Sequence, residues 1–321
     1  MRHSTTTSTA ALLALGALLL SSCSPAGGSD SGSDEAEPSS EDVPVVLTTF
    51  TVLQDIAAEV GGDRVDVRSI TPLGAEIHEY DPTPGDVRDA AEADLVLANG
   101  LGLEAWLEQF LDQSEASTVV VTDDIDPLSV TRLPGHPDDS TEMPINPHAW
   151  MSPQQGVKYV DAIDEALTDL SPQDAEVFAE NADALREELE DLDAEARDRA
   201  EQLDDVHLVT CEGAFSYLAE DLDLGEHYLW PVNADDEGSP QQIEAQIRYV
   251  QDHQVPTVFC ESTVNEAAQQ QVAQDSGAEL GEPLYVDSLS AEDGPVPSYL
   301  DLLRHDLELI LDGADAEGSG R

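Results

Sequence analysis

The sequence predicts an α/β protein whose two lobes each carry a parallel sheet with flanking helices and are joined by one long rigid helix. Short apolar segments alternate with helix-like segments from Val43 onward, and the same alternation resumes after Asp205. Between these regions, residues 171–204 keep one helical apolar stripe. Ligands of open α/β sheets bind beyond the carboxyl ends of the strands, so the sequence predicts a binding cleft between the lobes.

The first lobe is predicted to span residues 43–170. Its strand-like segments are the apolar runs VPVVLTTF, RVDVRSI, DLVLANG and TVVVT. The helix-like segments are DIAAEV, PGDVRDAAEA, LEAWLEQFL and QQGVKYVDAIDEALTDL. Pro84 opens the second of these, as is common in the first turn of a helix. Strands separated by helices predict a parallel sheet.

A single linking helix is predicted over residues 171–204. Ser171 suits the N-cap and Pro172 the first helical position. The apolar stripe consists of Phe178, Leu185, Leu189, Leu192, Ala196 and Leu203. A helix of this length measures roughly 45 Å. Half of a coiled coil is the alternative, but the α/β pattern on both sides favours a spine between lobes.

The second lobe is predicted to span residues 205–315, followed by a tail at residues 316–321. Its strand-like segments are VHLVTC, HYLWPVN, PTVFCES and GEPLYVDS. The helix-like segments are AFSYLAEDL, SPQQIEAQIRYVQDH, NEAAQQQVAQDSG and SYLDLLRHDLELILDG.

The composition is extremely acidic. The 321 residues include 69 Asp and Glu but only 12 Lys and Arg, which gives a formal net charge of −57. Nucleic acids and anionic lipids are therefore poor partners, because their phosphates are repelled. Adaptation to a salty environment explains such a surface best, and enrichment of divalent cations near the protein is the alternative.

The amino terminus is predicted to be an export signal over residues 1–22. Its apolar stretch, Ala10 to Leu20, is too short for a membrane-spanning helix. It leads into Leu-Ser-Ser-Cys23, a sequence similar to the lipobox of bacterial lipoproteins. We expect Cys23 to carry a lipid that anchors the protein to the extracellular face of the cytoplasmic membrane, with residues 23–42 as a disordered acidic tether. A plain secretory signal is the alternative.

Two further cysteines follow the same local pattern. Cys211 and Cys260 each end an apolar run, and each precedes a glutamate. Strands that end alike can be neighbours in a parallel sheet, so a disulfide in the oxidising compartment is the favoured prediction. Buried free thiols and soft metal ligands are the alternatives.

Four loops carry side chains that suit a divalent cation. They contain His78, His148, Glu212 and Asp287, within PLGAEIHEYDPTP, INPHAWMSP, TCEGAFSYL and LYVDSLS. Two imidazoles and two carboxylates form a site suited to Mn²⁺, Fe²⁺ or Zn²⁺. Singly, each residue has another explanation: a histidine can be solvated, Glu212 can cap a helix, and Asp287 can shape a turn.

These segments together resemble the metal-binding lipoproteins of bacterial ABC importers for manganese, zinc or iron. The resemblance runs from about Val43 to Gly313 and rests on PLGAEIHEYDPTPGDV, NPHAW, CEGAFSYLAEDL, WPVNADDEGSPQQI and LYVDSLSAEDGPVPSYLDLL. It implies that His78, His148, Glu212 and Asp287 are the metal ligands. The third ligand is histidine in most zinc members of the family and glutamate in many manganese members.

The sequence departs from the family at a few positions. Ile77 replaces a common proline, and Asn146 replaces the usual aspartate of the NPH motif, which is expected to weaken the orientation of the neighbouring ligand. Many zinc importers carry a long His-rich loop before the second ligand, whereas this chain has only His136 there. That difference disfavours zinc.

The resemblance implies a monomeric extracytoplasmic solute-binding lipoprotein that captures Mn²⁺ and delivers it to an ABC permease. Zn²⁺ and Fe²⁺ are the alternative cargoes, and a surface adhesin stabilised by metal is the alternative role. An enzyme is not expected, because four protein ligands leave a hydrolytic substrate little room. Glu261 is expected to line the cleft behind the ligands. Affinity should fall on acidification as the imidazoles protonate near pH 6.5.

Overall fold

Four short parallel strands form the first sheet of the computed structural model, which describes residues 43–78, 80–107, 116–131, 143–232 and 238–315. The strands are β1 (Val45–Thr48), β2 (Asp66–Ser69), β3 (Leu95–Ala98) and β4 (Ser117–Val120). Their order is β2-β1-β3-β4, and Val46 lies opposite Val67 on one side and Leu95 on the other. β3 is buried on both faces, as its continuous apolar sequence predicts.

The second sheet region also consists of parallel pairs. Its strands are β5 (His207–Glu212), β6 (Gly225–Trp230), β7 (Thr257–Val258) and β8 (Glu279–Leu280). β5 pairs with β6, and β7 pairs with β8. The Phe259 N–H donates a hydrogen bond of 2.8 Å to the Val209 carbonyl, so the end of β7 runs beside β5.

The strand predicted at GEPLYVDS, residues 281–288, is absent there, and the strand β8 lies just before it in the chain. β8 ends at Leu280, and the segment after it runs as a loop with one isolated bridge between Leu284 and Glu261. Gly281 packs directly against the Phe259 ring, and Pro283 has no N–H to donate to a strand partner. Asp287 therefore lies in a loop rather than in a strand.

Eight helices in the described residues flank the sheets. They are α1 (Thr51–Gly61), α2 (Pro84–Glu92), α3 (Pro153–Leu170), α4 (Ala175–Ala200), α5 (Ser216–Leu222), α6 (Pro240–His253), α7 (Ala267–Ser276) and α8 (Tyr299–Ala314). Thr83 and Ser239 cap α2 and α6 with capping boxes, and each precedes a proline. No helix among the described residues is long and apolar enough to cross a membrane. The predicted helix LEAWLEQFL lies partly outside those residues.

The long helix is present but begins later than residue 171. Residues Pro172–Asp174 form a 3₁₀ turn, and the Ser171 hydroxyl bonds to the Asp174 carboxylate at 2.9 Å instead of capping α4. The predicted stripe is buried from Phe178 to Ala196, and Leu203 packs against it beyond the helix end. α4 packs on α1, α3 and α8.

One large apolar core includes residues of both sheet regions and of α4. All described residues belong to one compact unit of the chain, so the division at residues 43–170, 171–204 and 205–315 stays a prediction. The predicted signal, the tether with Cys23, and the tail at residues 316–321 lie outside the described residues.

The predicted disulfide is present. Cys211 and Cys260 are bonded, with their Cα atoms 4.9 Å apart. The bond ties the end of β5 to the segment after β7. Because both sulfur atoms are in the disulfide, neither cysteine is a free thiol or a metal ligand.

Candidate metal centre

His78 lies in the loop between β2 and α2. The Trp106 indole donates a hydrogen bond of 3.0 Å to the Ile77 carbonyl, and the His78 N–H donates to the Glu76 carboxylate at 2.8 Å. The His78 side chain is only 7 % exposed. Both bonds hold the peptide unit between Ile77 and His78, and the Nε2 atom of His78 faces the His148 ring.

His148 is held by the side chain of Asn146. The Asn146 Oδ1 atom accepts the His148 backbone N–H at 3.0 Å and lies 2.9 Å from the ring Nδ1 atom. The Asn146 amide nitrogen donates to the Gly213 carbonyl and to the Ser216 hydroxyl, at 2.7 and 2.9 Å. Since an amide oxygen can only accept, Nδ1 of His148 carries the hydrogen and Nε2 presents its lone pair.

Asn146 therefore orients its ligand fully, contrary to the expectation from its departure from the family pattern. Its oxygen accepts both hydrogen bonds that a carboxylate would accept, and its nitrogen finds two acceptors that an aspartate could not use. The bond to Gly213 also connects the His148 loop to the segment that follows Glu212. Asn99 supports the same loop by donating to the Pro147 carbonyl at 3.0 Å.

Glu212 ends β5, and Asp287 lies in the loop after β8. The Glu212 N–H lies 3.2 Å from both carboxylate oxygens of Glu261, and Thr263 donates to Asp287 Oδ2 at 3.0 Å. Glu261 is buried and accepts the Glu212 N–H, whereas its place at the cleft stays a prediction. The remaining oxygens, Glu212 Oε1 and Asp287 Oδ1, are buried without a hydrogen-bond partner.

The four predicted side chains converge. Nε2 of His78 lies 3.1 Å from Nε2 of His148, and Glu212 Oε1 lies 3.4 and 3.7 Å from these two nitrogens. Ligand atoms of His78, His148 and Asp287 all lie within 4.8 Å of one another. Side chains from three loops and from the end of β5 thus face one another.

Burial controls protonation at this point. It lowers the pKa of His78 to about 4 and the pKa of His148 well below its usual value, so both imidazoles are neutral at physiological pH. Burial, together with the neighbouring Asp287, raises the pKa of Glu212 well above its usual value. Burial raises the pKa of Asp287 to about 7 and that of Glu261 to about 8.

These shifts change the expected origin of the pH dependence. Imidazoles that are already neutral lose no proton between pH 5 and 8, so an incoming cation displaces protons from the carboxylates instead. Weaker binding on acidification stays a prediction, but the imidazole pKa near 6.5 was the wrong cause. The reason is burial, which the sequence did not show for His78 and His148.

The arrangement fits a divalent cation. The donor set is mixed, with two neutral imidazole nitrogens and two carboxylates. Each carboxylate has one oxygen that lacks a hydrogen-bond partner. No motif marks Thr263 or Trp106, which bond to Asp287 and to the Ile77 carbonyl from distant segments. Asn146 was noticed only as a departure from a motif.

Comparison with known proteins identifies the family. The family model for the zinc-uptake complex component A, periplasmic, matches residues 46–313. The iron-binding protein YfeA of Yersinia pestis is 44 % identical over 271 residues, covering 84 % of this chain and 85 % of YfeA. The manganese ABC transporter substrate-binding lipoprotein PsaA of Streptococcus mitis is 29 % identical over 278 residues, covering 84 % and 88 %.

A solved structure agrees with the fold. The Mn-bound periplasmic metal binding protein of Candidatus Liberibacter asiaticus superimposes with a TM-score of 0.77 at 36 % identity, covering 84 % of this chain and 99 % of that protein. The relatives described above are named as metal-binding or substrate-binding proteins. The chain therefore belongs to the family of periplasmic metal-binding proteins that act as substrate-binding components of bacterial ABC importers.

Proposed function

We propose that this protein captures Mn²⁺ outside the cytoplasmic membrane and delivers it to an ABC permease. His78 and His148 donate Nε2 lone pairs to the ion, while Glu212 and Asp287 neutralise its charge. The ion is the transported cargo and not a cofactor, so no reacting substrate needs to bind beside it.

One observation carries the proposal. Glu212 Oε1 and Asp287 Oδ1 are both buried without a hydrogen-bond partner, and they face two imidazole nitrogens. An unpaired buried carboxylate oxygen is costly to the folded state unless a cation or proton neutralises it. A divalent ion at the centre neutralises both carboxylates at once.

The carboxylate pair supports manganese over zinc. Carboxylates can bind through both oxygens and raise the coordination number above four, which Mn²⁺ accepts and Zn²⁺ rarely adopts in a closed protein site. Zinc can still bind more tightly in vitro, because it follows manganese in the Irving–Williams order. Iron is the second candidate, since the relative at 44 % identity is named iron-binding.

We propose that lipidation of Cys23 anchors the protein at the extracellular face of the membrane, as a monomer. The relative from Streptococcus mitis is named a lipoprotein, which supports an anchor of this kind. Mass spectrometry of the membrane fraction tests it: wild-type protein should carry diacylglycerol at Cys23, and Cys23→Ala protein should appear in the medium. Unmodified Cys23 in exported wild-type protein would contradict the anchor.

Replacing the third ligand tests the metal preference. Glu212→His exchanges a carboxylate for an imidazole, so the ratio of Zn²⁺ to Mn²⁺ affinity should rise by about tenfold or more. Competition between the two metals, measured by equilibrium dialysis, gives this ratio. Glu279→His, at an exposed glutamate, is the control that should leave the ratio unchanged.

Two results would overturn the proposal. One is wild-type protein that binds none of the three metals. The other is a structure with anomalous scattering at the manganese edge that shows the ion away from these four side chains. Loss of manganese uptake in cells that lack the protein separates transport from the adhesin alternative, for which uptake stays normal.

A further inference from the structure

We propose a second metal site, on the surface, formed by Asp205, His207 and His253 and suited to Zn²⁺. One ligand atom from each of these residues lies within 4.8 Å of the other two. None of the three belongs to the candidate metal centre between the loops. Two imidazoles and one carboxylate are a common protein ligand set for zinc, with water in the fourth position.

The His207 ring is held in place from two sides. Its Nδ1 atom lies 2.6 Å from the Tyr249 hydroxyl. On the adjacent strand, Gly225 lies so close that a Cβ atom there would approach His207 Nδ1 to 2.1 Å. Tyr249 is fixed in turn by the buried His227 ring, at a centroid distance of 4.4 Å. The hydroxyl can accept the Nδ1 hydrogen, which leaves Nε2 with its lone pair.

The Nε2 atom of His207 is the observation that points to a ligand. The side chain is 10 % exposed, and Nε2 itself is buried without a hydrogen-bond partner. It lies 3.3 Å from Asp205 Oδ1 without the geometry of a hydrogen bond. A buried ring nitrogen that lacks a hydrogen-bond partner and lies beside a carboxylate and a second imidazole is a position where a bound cation would supply the missing partner.

His253 and Asp205 complete the site from exposed positions. His253 ends α6, and its ring centroid lies 4.1 Å from that of His207. Asp205 precedes β5 with a φ of 53°, a left-handed conformation that aspartate tolerates and most residues do not. Zinc bonds of about 2.1 Å place tetrahedral ligands roughly 3.4 Å apart, so small rotations of these two exposed side chains close the site.

The two sites lie at opposite ends of one strand. His207 begins β5 and Glu212 ends it, which separates them by about 17 Å at 3.3–3.4 Å per residue. Each site can therefore be removed without touching the other. Each site has two imidazoles, but the surface site has one carboxylate and the buried site has two, so zinc should fill both and manganese mainly the buried one.

The test is metal stoichiometry of the metal-stripped full protein, measured by equilibrium dialysis against Zn²⁺ and, separately, Mn²⁺. Wild type should bind two zinc ions and one manganese ion per chain. His253→Ala should bind one zinc ion and still one manganese ion. Asp205→Asn keeps a residue that tolerates the left-handed conformation and should weaken the second zinc at least about tenfold. His305→Ala, a histidine outside both sites, is the matched control.

The possible outcomes distinguish the surface site from the proposed cargo site. Equal zinc stoichiometry in wild type and His253→Ala overturns the surface site, whatever manganese does. A second zinc ion that is lost equally in His305→Ala also overturns it. Loss of manganese in wild type with retention of a zinc ion that depends on His253 would instead overturn the proposed cargo site and leave the surface site standing. Unchanged thermal unfolding of the metal-free variants shows that folding is not the cause.

Discussion

Asn146 fixes the ring tautomer of His148, a proposed metal ligand, and also bonds to the segment after Glu212. A hydrogen-bonding partner of a metal-bound histidine typically changes affinity by 10–100-fold when it is removed. The amide at this position accepts the same two hydrogen bonds as the family's usual aspartate. It also avoids a further buried negative charge beside two carboxylates.

Asn146→Ala should weaken Mn²⁺ binding by about 10–100-fold, since His148 loses the acceptor that holds its Nδ1 hydrogen. Titration calorimetry with Mn²⁺ measures this change. Asn181→Ala is a suitable control, because Asn181 bonds to the Val60 carbonyl far from the site. Equal affinities in the two variants would show that Asn146 does not position the ligand.

The four candidate ligands could be predicted individually because each stands in a short motif beside a strand end or a helix start. Their protonation could not. Whether His78 has a pKa near 6.5 or near 4 depends on burial by residues far away in sequence. The same holds for Thr263 and Trp106, whose roles follow from contacts between distant segments.

Among the elements, α1 and α8 are joined by a half-buried carboxylate. Asp55 in α1 accepts the backbone N–H of Tyr299, the first residue of α8, at 2.7 Å. Burial raises the pKa of Asp55 to about 6, and Glu59 and Asp301 add to the shift. The folded state therefore holds the Asp55 proton more tightly than the unfolded chain, whose pKa is near 3.8.

This shift predicts that Asp55 makes the metal-free protein less stable as pH rises. A raised pKa in the folded state gives a stabilising contribution that is full below pH 3.8 and is lost as pH rises through 6. Asp55→Asn keeps an acceptor for the Tyr299 N–H and should raise the free energy of unfolding at pH 7 by about 1–2 kcal/mol. Urea unfolding at pH 5 and pH 7 measures the difference.

The expected result is a gain from Asp55→Asn at pH 7 that shrinks at pH 5. Asp252→Asn, at an exposed residue of α6 that does not contribute to the Asp55 shift, is the comparison for a general loss of negative charge. An identical gain at both pH values would show that Asp55 has an ordinary pKa.

The disulfide links β5 to the segment after β7 across 49 residues. A cross-link that closes a loop of this length stabilises a protein by about 4 kcal/mol through the entropy of the unfolded chain. The double variant Cys211→Ala with Cys260→Ala should lose stability of this order in urea unfolding. Wild type unfolded in the presence of a reductant should approach the variant. Equal midpoints for oxidised wild type and variant would contradict a stabilising disulfide.

The whole molecule is dominated by its negative charge. With 69 acidic and 12 basic residues, repulsion between carboxylates opposes folding at low ionic strength. The few basic side chains can each pair with several acidic ones. Arg186 in α4, for example, binds the carboxylates of Asp161, Asp164 and Asp183. Salt should relieve the remaining repulsion, because the screening length falls from about 30 Å at 0.01 M to 3 Å at 1 M.

Raising NaCl from 0.05 to 1 M should therefore raise the melting temperature of the metal-free protein by several degrees at pH 7. Differential scanning calorimetry checks this. The same scan near pH 4.1, the sequence isoelectric point, is the control, since the net charge vanishes there and the salt effect should shrink. Equal effects at both pH values would assign the stabilisation to something other than charge screening.

The sequence by itself determined the α/β class, the long helix and the family, because each depends on local periodicity or on short motifs. The predicted helix stripe, Phe178 to Ala196, is buried as expected. The start of α4 and the end of β8 were misplaced, since Ser171 bonds locally to Asp174 and Gly281 packs on Phe259. Boundaries of this kind depend on side-chain contacts that a local pattern does not contain.

Only the tertiary structure decided which groups share a point in space. It brought His78 and His148 to 3.1 Å across 70 residues of chain, buried two carboxylate oxygens without partners, and joined Cys211 to Cys260. It also gathered Asp205, His207 and His253 at the surface, where the sequence showed no motif. The sequence determines which chemical groups the chain contains. The distances between these groups and their burial determine the pKa values and the ligand set, and they arise only when remote segments pack together.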